Sequence, residues 1–492
     1  MSRKVVIAGG GPTGLMLASE LSLAGVPSIV LERAPEASEY SRSLTLHARS
    51  VEVFGQRGLD WFADYPRVQS YNFGLLQLQH LIDPSLIPLL VPQRHVERLL
   101  EERAAGMGAD IRRGHEVVAA EQDADGVTVV VRSSEGEYTV RGQYLVGCDG
   151  GASLVRKLAG IGFPGTASTV DGLTADVITD PSVVTRVPPT LRQEGMHAVI
   201  PLRPGLFRVT AIEFGVEPTS RAVEPTLEEF KAVVERVSGS HLDLLDHAEV
   251  RWLSRFGNAT RLADRYRSGR ILLAGDSAHV HLPVSGQGLN TGIQDAVNLG
   301  WKLAAELRGW APEGLLDTYE SERRPVGERV CMNTRAQDAL MHPLDRVGPL
   351  RDMVAELLRL PPVSKYVTDM VTGIGISYPV SYPGRDDDGH AHPLLGRRLP
   401  AFTAADGTAG VAHLASGHAV LFDATDDGAP SECAAGWGER VDVVRTGPVE
   451  ELDAVAVLVR PDGHVVFADR SGADVEGLKL ALKTWFGEPD PS

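Results

Sequence analysis

Residues 4–14, KVVIAGGGPTG, limit what this chain can fold into more than any other stretch. A short apolar run leads into Gly9, Gly11 and Gly14, spaced G-x-G-x-x-G, and an apolar helical pattern follows from Thr13 to Ala24. A second apolar run, PSIVLE, ends on Glu32, 18 residues after Gly14. Continuous rather than alternating apolar runs predict strands buried on both faces, as in a parallel sheet. Strand, glycine turn, helix and strand within about 30 residues make one βαβ unit. Each glycine answers a separate demand: Gly9 permits the tight turn, Gly11 lets the backbone approach a pyrophosphate, and Gly14 lets the helix pack on the strand. The helix opening at Pro12 and Thr13 turns free N–H groups and the positive end of its dipole toward such an anion. Glu32, followed by Arg33, is placed to hydrogen-bond a ribose hydroxyl, and its charge disfavours a 2′-phosphate at that position. The alternative is a tight strand–helix turn with no ligand.

The chain has 492 residues, too many for one ordinary core, so two or three domains are expected. Sixty-five acidic against 48 basic residues give a net charge of −17, which argues against a general nucleic-acid binder. No run reaches the roughly 18 apolar residues of a membrane span. The N-terminal apolar run is too short for a secretory signal. Cys148, Cys331 and Cys433 are far apart, with no C-x-x-C and no metal-ligand spacing. A reduced, cytoplasmic setting follows, and no metal is expected.

Periodicity predicts helices at 93–108, 288–307, 312–342 and 348–372, with another ending near Gly58. Strands are expected near 115–120, 126–133, 137–147 and 270–274. Between 165 and 268 the pattern alternates and turns often, which predicts an antiparallel sheet with helical inserts such as TLEEFKAVVERV. The Pro-, Gly- and Asp-rich stretch 377–393 reads as a linker. Beyond it, HAVLF, VDVVR, AVAVLVRP and GHVVFA read as strands and VEGLKLALKTWF as a closing helix of a separate unit, 395–492.

Two further signals lie far from the first. One is CDGGASLVR, residues 148–156; the other is GDSAHVHLPVSGQGLN, residues 275–290. Each is an apolar strand ending in Asp beside Gly, and strand ends on one edge of a parallel sheet are where ligands bind. An elongated ligand, with pyrophosphate at one end and a polyol at the other, would need both. His279 and His281 stand two apart with no third ligand, so packed histidines are expected rather than metal ligands. G-x-S-x-G is absent, which argues against a hydrolase.

With GGGPTG and Glu32, CDGGASLVR, GDSAHVHLPVSGQGLN and YESERRP (319–325), the chain resembles the class A FAD-dependent aromatic hydroxylases built like para-hydroxybenzoate hydroxylase. Within them it is most similar to the aromatic polyketide hydroxylases and rifampicin-type antibiotic monooxygenases. LVRPDGHVVFA (458–468) resembles their thioredoxin-like tail, here without a dithiol. The resemblance implies an α/β fold: a Rossmann-like FAD-binding domain (1–165 and 270–385), an inserted antiparallel sheet domain for substrate (166–269) and a C-terminal thioredoxin-like domain (395–492). It implies bound FAD, transient NADPH or NADH, O2, and oxygen transfer from a flavin C4a-hydroperoxide to a polycyclic aromatic small molecule.

By that resemblance Asp276 binds the flavin ribitol, and Asp149, Gly150 and Arg156 serve the FAD pyrophosphate and NAD(P)H. Arg42 reaches the pyrophosphate or the pyridine nucleotide, and Gln93 approaches the ribitol and flavin ring. Pro283 shapes the loop over the flavin face. Gly286, Gly288, Leu289 and Asn290 open a helix whose dipole stabilises negative charge on the reduced flavin. Arg42, Pro283 and Gly288 are the residues expected nearest the chemistry. YESERRP reads as structural, with Glu322 and Arg323 in ion pairs. No signal identifies a base; His197, Arg208 and Tyr71 are the candidates, each with a structural alternative. A Baeyer–Villiger oxygenase and a non-catalytic FAD-fold binding protein stay open as alternatives, and a homodimer is compatible with the sequence.

Overall fold

Val5–Ala8, Tyr144–Gly147 and Ile271–Leu273 are buried along their whole length, and Ser28–Glu32 is buried up to its terminal acid. Such strands must be covered on both faces, and they form the centre of a six-stranded sheet. The computed structural model describes residues 4–68, 71–78, 83–180, 182, 187–220, 222–246, 248–382 and 392–490. Across the sheet the order is 267–268, 271–273, 144–147, 5–8, 28–32, 110–113. All neighbours pair parallel except the short Arg267–Ser268 edge.

From Val5–Ala8 the sheet grows one way through Ser28–Glu32 and then the other way through Tyr144–Gly147. The order therefore reverses between these strands, which is where open α/β sheets bind ligands. The chains nearly touch there: a Cβ on Gly9 (φ +108°) would stand 2.3 Å from the Cys148 carbonyl oxygen.

The stretch expected as one strand at 137–147 is two. Gly136–Gly142 belongs to a three-stranded antiparallel sheet, and Tyr144–Gly147 to the parallel one. The crossing is close enough that a Cβ on Gly142 would meet Val6 Cγ2 at 2.9 Å. The helix expected at 348–372 is also divided, into Leu344–Leu357 and Pro361–Thr372. Pro361 and Pro362 offer no N–H to the preceding turn, and a proline disfavours helical geometry in the residue before it.

A five-stranded antiparallel sheet lies between the two halves of the parallel-sheet domain, in the order 187–191, 195–203, 206–213, 171–178, 249–256. Its two faces differ by register. Asp176 pairs Arg208, Thr174 pairs Thr210 and Gly172 pairs Ile212, so these share one face. Leu173, Ala175, Val209 and Ala211 take the other and pack on the helix Leu227–Ser238. His197 stands opposite Ala211, on this rear face, where burial and Arg192 lower its pKa.

The linker expected at 377–393 falls largely on 383–391, outside the described residues. Beyond it a four-stranded sheet, in the order 441–445, 419–423, 456–459, 465–469, carries the helix Val475–Phe486. The domain is joined to the first by buried charge. The Arg460 guanidinium donates to Glu322 (2.5 and 2.8 Å) and Asp462 (2.5 Å). Lys302 Nζ donates to Glu322 at 2.7 Å, and Asn298 Nδ2 reaches both carboxylates at 2.7 and 3.0 Å. Arg460 also lies over the rings of Trp485, Tyr378 and Trp301, at 4.6, 5.2 and 5.4 Å.

His464, also in this interface, is buried beside Tyr378 (ring centroids 4.2 Å), and burial pushes its pKa down to about 4. The unfolded chain takes up the proton near pH 6.5, the folded one near pH 4. Stability is therefore full above pH 6.5 and falls with acidification to pH 4, by about 3 kcal/mol in all from this group. His464→Asn should flatten that part of the curve, as measured by urea unfolding at pH 4.5 and 7.

Candidate cofactor site

Two helix N-termini meet at the carboxyl edge of the parallel sheet. The helix Pro12–Leu23 starts from Gly11, and the helix Gln287–Arg308 from Gly286, which is left-handed at φ +66°. Neither has a side-chain cap or an acid in its first turn. A cap would have consumed the N–H groups that an anion needs. The space around a Cβ built on Gly11 is open to 4 Å, whereas one on Gly14 would stand 2.0 Å from the Gly9 carbonyl oxygen. Gly11 therefore faces the site, and Gly14 sets the strand–helix packing.

The helices are locked together by Thr13. Its Oγ1 would be 2.7 Å from a Cβ on Gly275 and 2.3 Å from one on Gly292. Asp276 is exposed between buried Gly275 and Ser277, and its Oδ1 lies 3.6 Å from where Gly288 would carry a Cβ. Gly9, Gly11, Pro12, Thr13, Gly14, Gly150, Asp276, Gly286, Gly288, Leu289 and Asn290 thus converge on one edge, with Pro283 exposed on the loop before the second helix.

Buried groups hold this edge in place. Asp295 accepts from Gly275 N (3.0 Å), His279 Nε2 (2.8 Å) and Arg323 Nε (2.7 Å). Burial alone would raise its pKa, but Arg323 and His279 outweigh that and hold the carboxyl below its usual range. His279 is thus a packed histidine, and Arg323 of YESERRP anchors the Gly275–Asp276 turn. Asn290 Oδ1 accepts from His47 N (2.8 Å), while Asn290 Nδ2 donates to Gly286 O (2.8 Å) and Thr45 O (3.1 Å).

Other residues expected at the cofactor also have partners within the fold. Asp149 accepts from Leu154 N, Val155 N and Ser153 Oγ, and so caps the helix Leu154–Leu158. Arg156 is buried, donating to Ser277 O (2.8 Å) and Gly151 O (3.0 Å) under the Phe163 ring. It ties the Asp149 turn to the Asp276 turn. The Glu32 carboxylate accepts from Gly10 N (2.7 Å) and Ala34 N (2.8 Å), at the turn where a ribose would lie. Gln93 joins Ser43 N to Glu97, while Arg33 and Arg42 are exposed.

Arg208 is tied to the loop beside Arg42. It donates to Ser41 O (2.6 Å) and Arg42 O (3.2 Å) and pairs Asp176 at 2.7 Å. It lies over Trp252 (5.0 Å), on which Tyr40 stacks. Tyr40, Ser41, Asp176 and Arg208 border a cavity of about 360 Å³ that is also lined by Arg94, His95, Arg203 and Arg251. At the other end of the same sheet face, Ile212, Phe214, Met196 and Phe256 form an apolar wall with Leu282, Val284 and Met341. Tyr71 is buried with its ring crossed against that of His47 (centroids 6.3 Å), and burial raises its pKa, which does not favour a base. His47 carries no motif signal, and its place against the Ser285–Gly286 turn is fixed only by the fold; Asp295 lies within the Gln287–Arg308 helix, but its role as the acceptor for Gly275, His279 and Arg323 depends on partners that the sequence does not pair.

Among known proteins, residues 2–334 match the family described as FAD binding domain, and residues 392–489 the one described as aromatic-ring hydroxylase, C-terminal. The chain is 45% identical to a rifampicin monooxygenase of Streptomyces venezuelae, over 98% of each chain. It is 43% identical to 12-dehydrotetracycline 5-monooxygenase/anhydrotetracycline 6-monooxygenase of Streptomyces rimosus, over 99% of this chain and 100% of that one. A solved aromatic hydroxylase from angucycline biosynthesis superposes with a TM-score of 0.90 at 42% identity, covering 99% of this chain and 100% of the other. Among the described residues no helix is long and apolar enough to cross a membrane.

Proposed function

This chain belongs to the FAD-binding aromatic-ring hydroxylase family, and we propose that it is an NAD(P)H-consuming monooxygenase that hydroxylates a polycyclic aromatic of polyketide type. The observation that carries the reading is the meeting of two uncapped, acid-free helix N-termini at one sheet edge. One suits the pyrophosphate, the other the negative edge of the flavin, and Asp276 lies between them for the polyol.

Bound FAD supplies the electron transfer from NAD(P)H and the activation of O2; the protein binds, orients and excludes water. Gly9, whose own N–H is donated to the Leu31 carbonyl (2.8 Å), makes the turn, Gly14 packs the helix on the strand, and the first turn of the helix beyond Gly11 offers its free N–H groups to the pyrophosphate, with Glu32 beside the adenosine ribose. Gly288, Leu289 and Asn290 present the helix N-terminus where charge develops on reduction. The apolar wall of Ile212, Phe214, Met196, Phe256 and Leu282 holds the aromatic rings and keeps water from the reacting oxygen. The cavity at Arg94, Arg203 and Arg251 receives the phosphates of the reductant.

The test is the purified protein with NADPH or NADH and a panel of polycyclic phenols. The expected result is a yellow protein that oxidises the reductant faster with a phenol present and returns product with one added oxygen. A colourless protein that takes up no FAD would sink the reading. Arg203→Glu should raise the KM for NAD(P)H about tenfold, the effect of roughly 1.4 kcal/mol, with FAD content unchanged.

A further inference from the structure

His47 is buried between three elements beside the flavin-facing helix. It precedes the helix Ala48–Gln56, and its ring lies between the Ser285–Gly286 turn and the last turn of Pro361–Thr372. Nε2 is 2.8 Å from the Ser285 carbonyl oxygen, and Nδ1 is 2.9 Å from that of Val371. Both partners can only accept. A neutral imidazole has one N–H, so either tautomer leaves one nitrogen lone pair facing a carbonyl lone pair at hydrogen-bond distance. Only the imidazolium donates to both.

We propose that His47 is a positioning residue of the flavin cradle, and that it takes up a proton when the cofactor held there becomes anionic on reduction. This rests on the reading that FAD occupies the Gly286–Asn290 cradle.

The ring is coupled to that cradle by structure. Ser285 is held left-handed at φ +55°, an uncommon state for a residue with a side chain. His47 fixes its carbonyl, while Gln337 Oε1 accepts from its hydroxyl (2.8 Å). The next residue, Gly286, starts the helix, and a Cβ there would clash with Thr45 Oγ1 at 2.1 Å. Asn290 closes the clamp through His47 N. Two opposed influences set the protonation. Burial disfavours the charged ring, leaving its pKa at about 4. The Ser285 and Val371 carbonyls favour it, the second at a helix C-terminus, where a cation is stabilised.

The ionisable groups on the surrounding elements are Asp276 and His281 on the loop, Tyr71 at the ring edge, Lys365 paired with Asp369, and Arg49, which is turned to Glu52 and Asp462. None hydrogen-bonds the ring among the described residues. An anion gained beyond Gly286–Gly288 is therefore the charge able to tip the balance. Hydride from NAD(P)H brings two electrons and one proton to the cofactor, leaving it one charge more negative. His47 takes one further proton from solvent, and NAD(P)+ leaves.

The experiment is the midpoint potential of FAD in the holoenzyme as a function of pH from 6 to 9, for wild type and His47→Gln. Each proton taken up per two electrons changes the reduction equilibrium tenfold per pH unit, about 30 mV. Wild type should show two protons, and His47→Gln one. A one-proton slope in wild type, or a two-proton slope that survives in His47→Gln, overturns the proposal. Should the variant lose FAD, ring 15N shifts of wild-type His47 decide instead. Both nitrogens protonated only in the reduced holoenzyme supports the proposal; one protonated nitrogen in both states overturns it. A protein that binds no FAD overturns the cofactor reading itself, which is a separate failure.

Discussion

Replacing Arg460 with leucine is expected to destabilise the protein by about 3–5 kcal/mol, because it removes one partner from a buried ionic cluster and leaves the other in place. Glu322 and Asp462, both buried, would keep Lys302 and Asn298 as partners but lose the guanidinium that bridges them. The same change uncovers the rings of Trp301, Tyr378 and Trp485, which pack against the guanidinium. Cofactor retention should fall with stability, since Asn298, Trp301 and Lys302 belong to the helix whose first turn builds the cradle. Thermal unfolding followed in parallel by intrinsic and flavin fluorescence checks both expectations. A loss below 1 kcal/mol would mean that the interface is held mainly by the packing of Trp301 and Phe486.

Gly9→Ala should be strongly damaging. The new methyl would be 2.3 Å from the Cys148 carbonyl oxygen, a backbone atom fixed by the adjacent strand, and φ is +108°. Neither the clash nor the backbone angle can relax without separating the strands at the point where the sheet order reverses. Strain of about 3 kcal/mol lowers fold stability by that amount where it is retained, and weakens FAD binding roughly hundredfold where the free protein relieves it by opening the turn. Gly11→Ala is the control. It adds the same methyl group but into open space, so the fold should be kept and the loss confined to cofactor affinity. Titration of each variant with FAD, monitored by flavin fluorescence quenching, separates the two. Equal fold stability for both would refute the assignment of Gly9 to strand packing.

The sequence made the parallel-sheet unit readable because its determinants are local. Strand, glycine turn and acid sit within the first βαβ unit, and the helix expected from Thr13 to Ala24 is Pro12–Leu23. The helix expected at 288–307 is Gln287–Arg308, and VEGLKLALKTWF is helical from end to end. What was not readable depends on partners distant in sequence. Asp149 and Arg156 carry charges that a ligand could use, yet Asp149 is taken up by the N–H groups of residues 154 and 155, and Arg156 by the Ser277 carbonyl, 121 positions away. His197 could face the flavin or the rear helix from composition alone, and only the strand register put it on the rear face. His47 carries no motif; its partners lie 238 and 324 residues later. Glu322 and Arg323, read as ion-pairing, do pair, but with different domains: Glu322 with the C-terminal Arg460 and Arg323 with Asp295.

The helix Gln287–Arg308 is shared property. Its first turn lies at the proposed cofactor site and its middle at the joint with the C-terminal domain. A chimera that takes its tail from a relative would therefore have to import residues 298, 302 and 322 to match positions 460 and 462 of the donor. The tail cannot be exchanged as a cassette cut at the linker, because the seam along which this protein can be recombined runs through the side chains of the helix proposed to open onto the flavin.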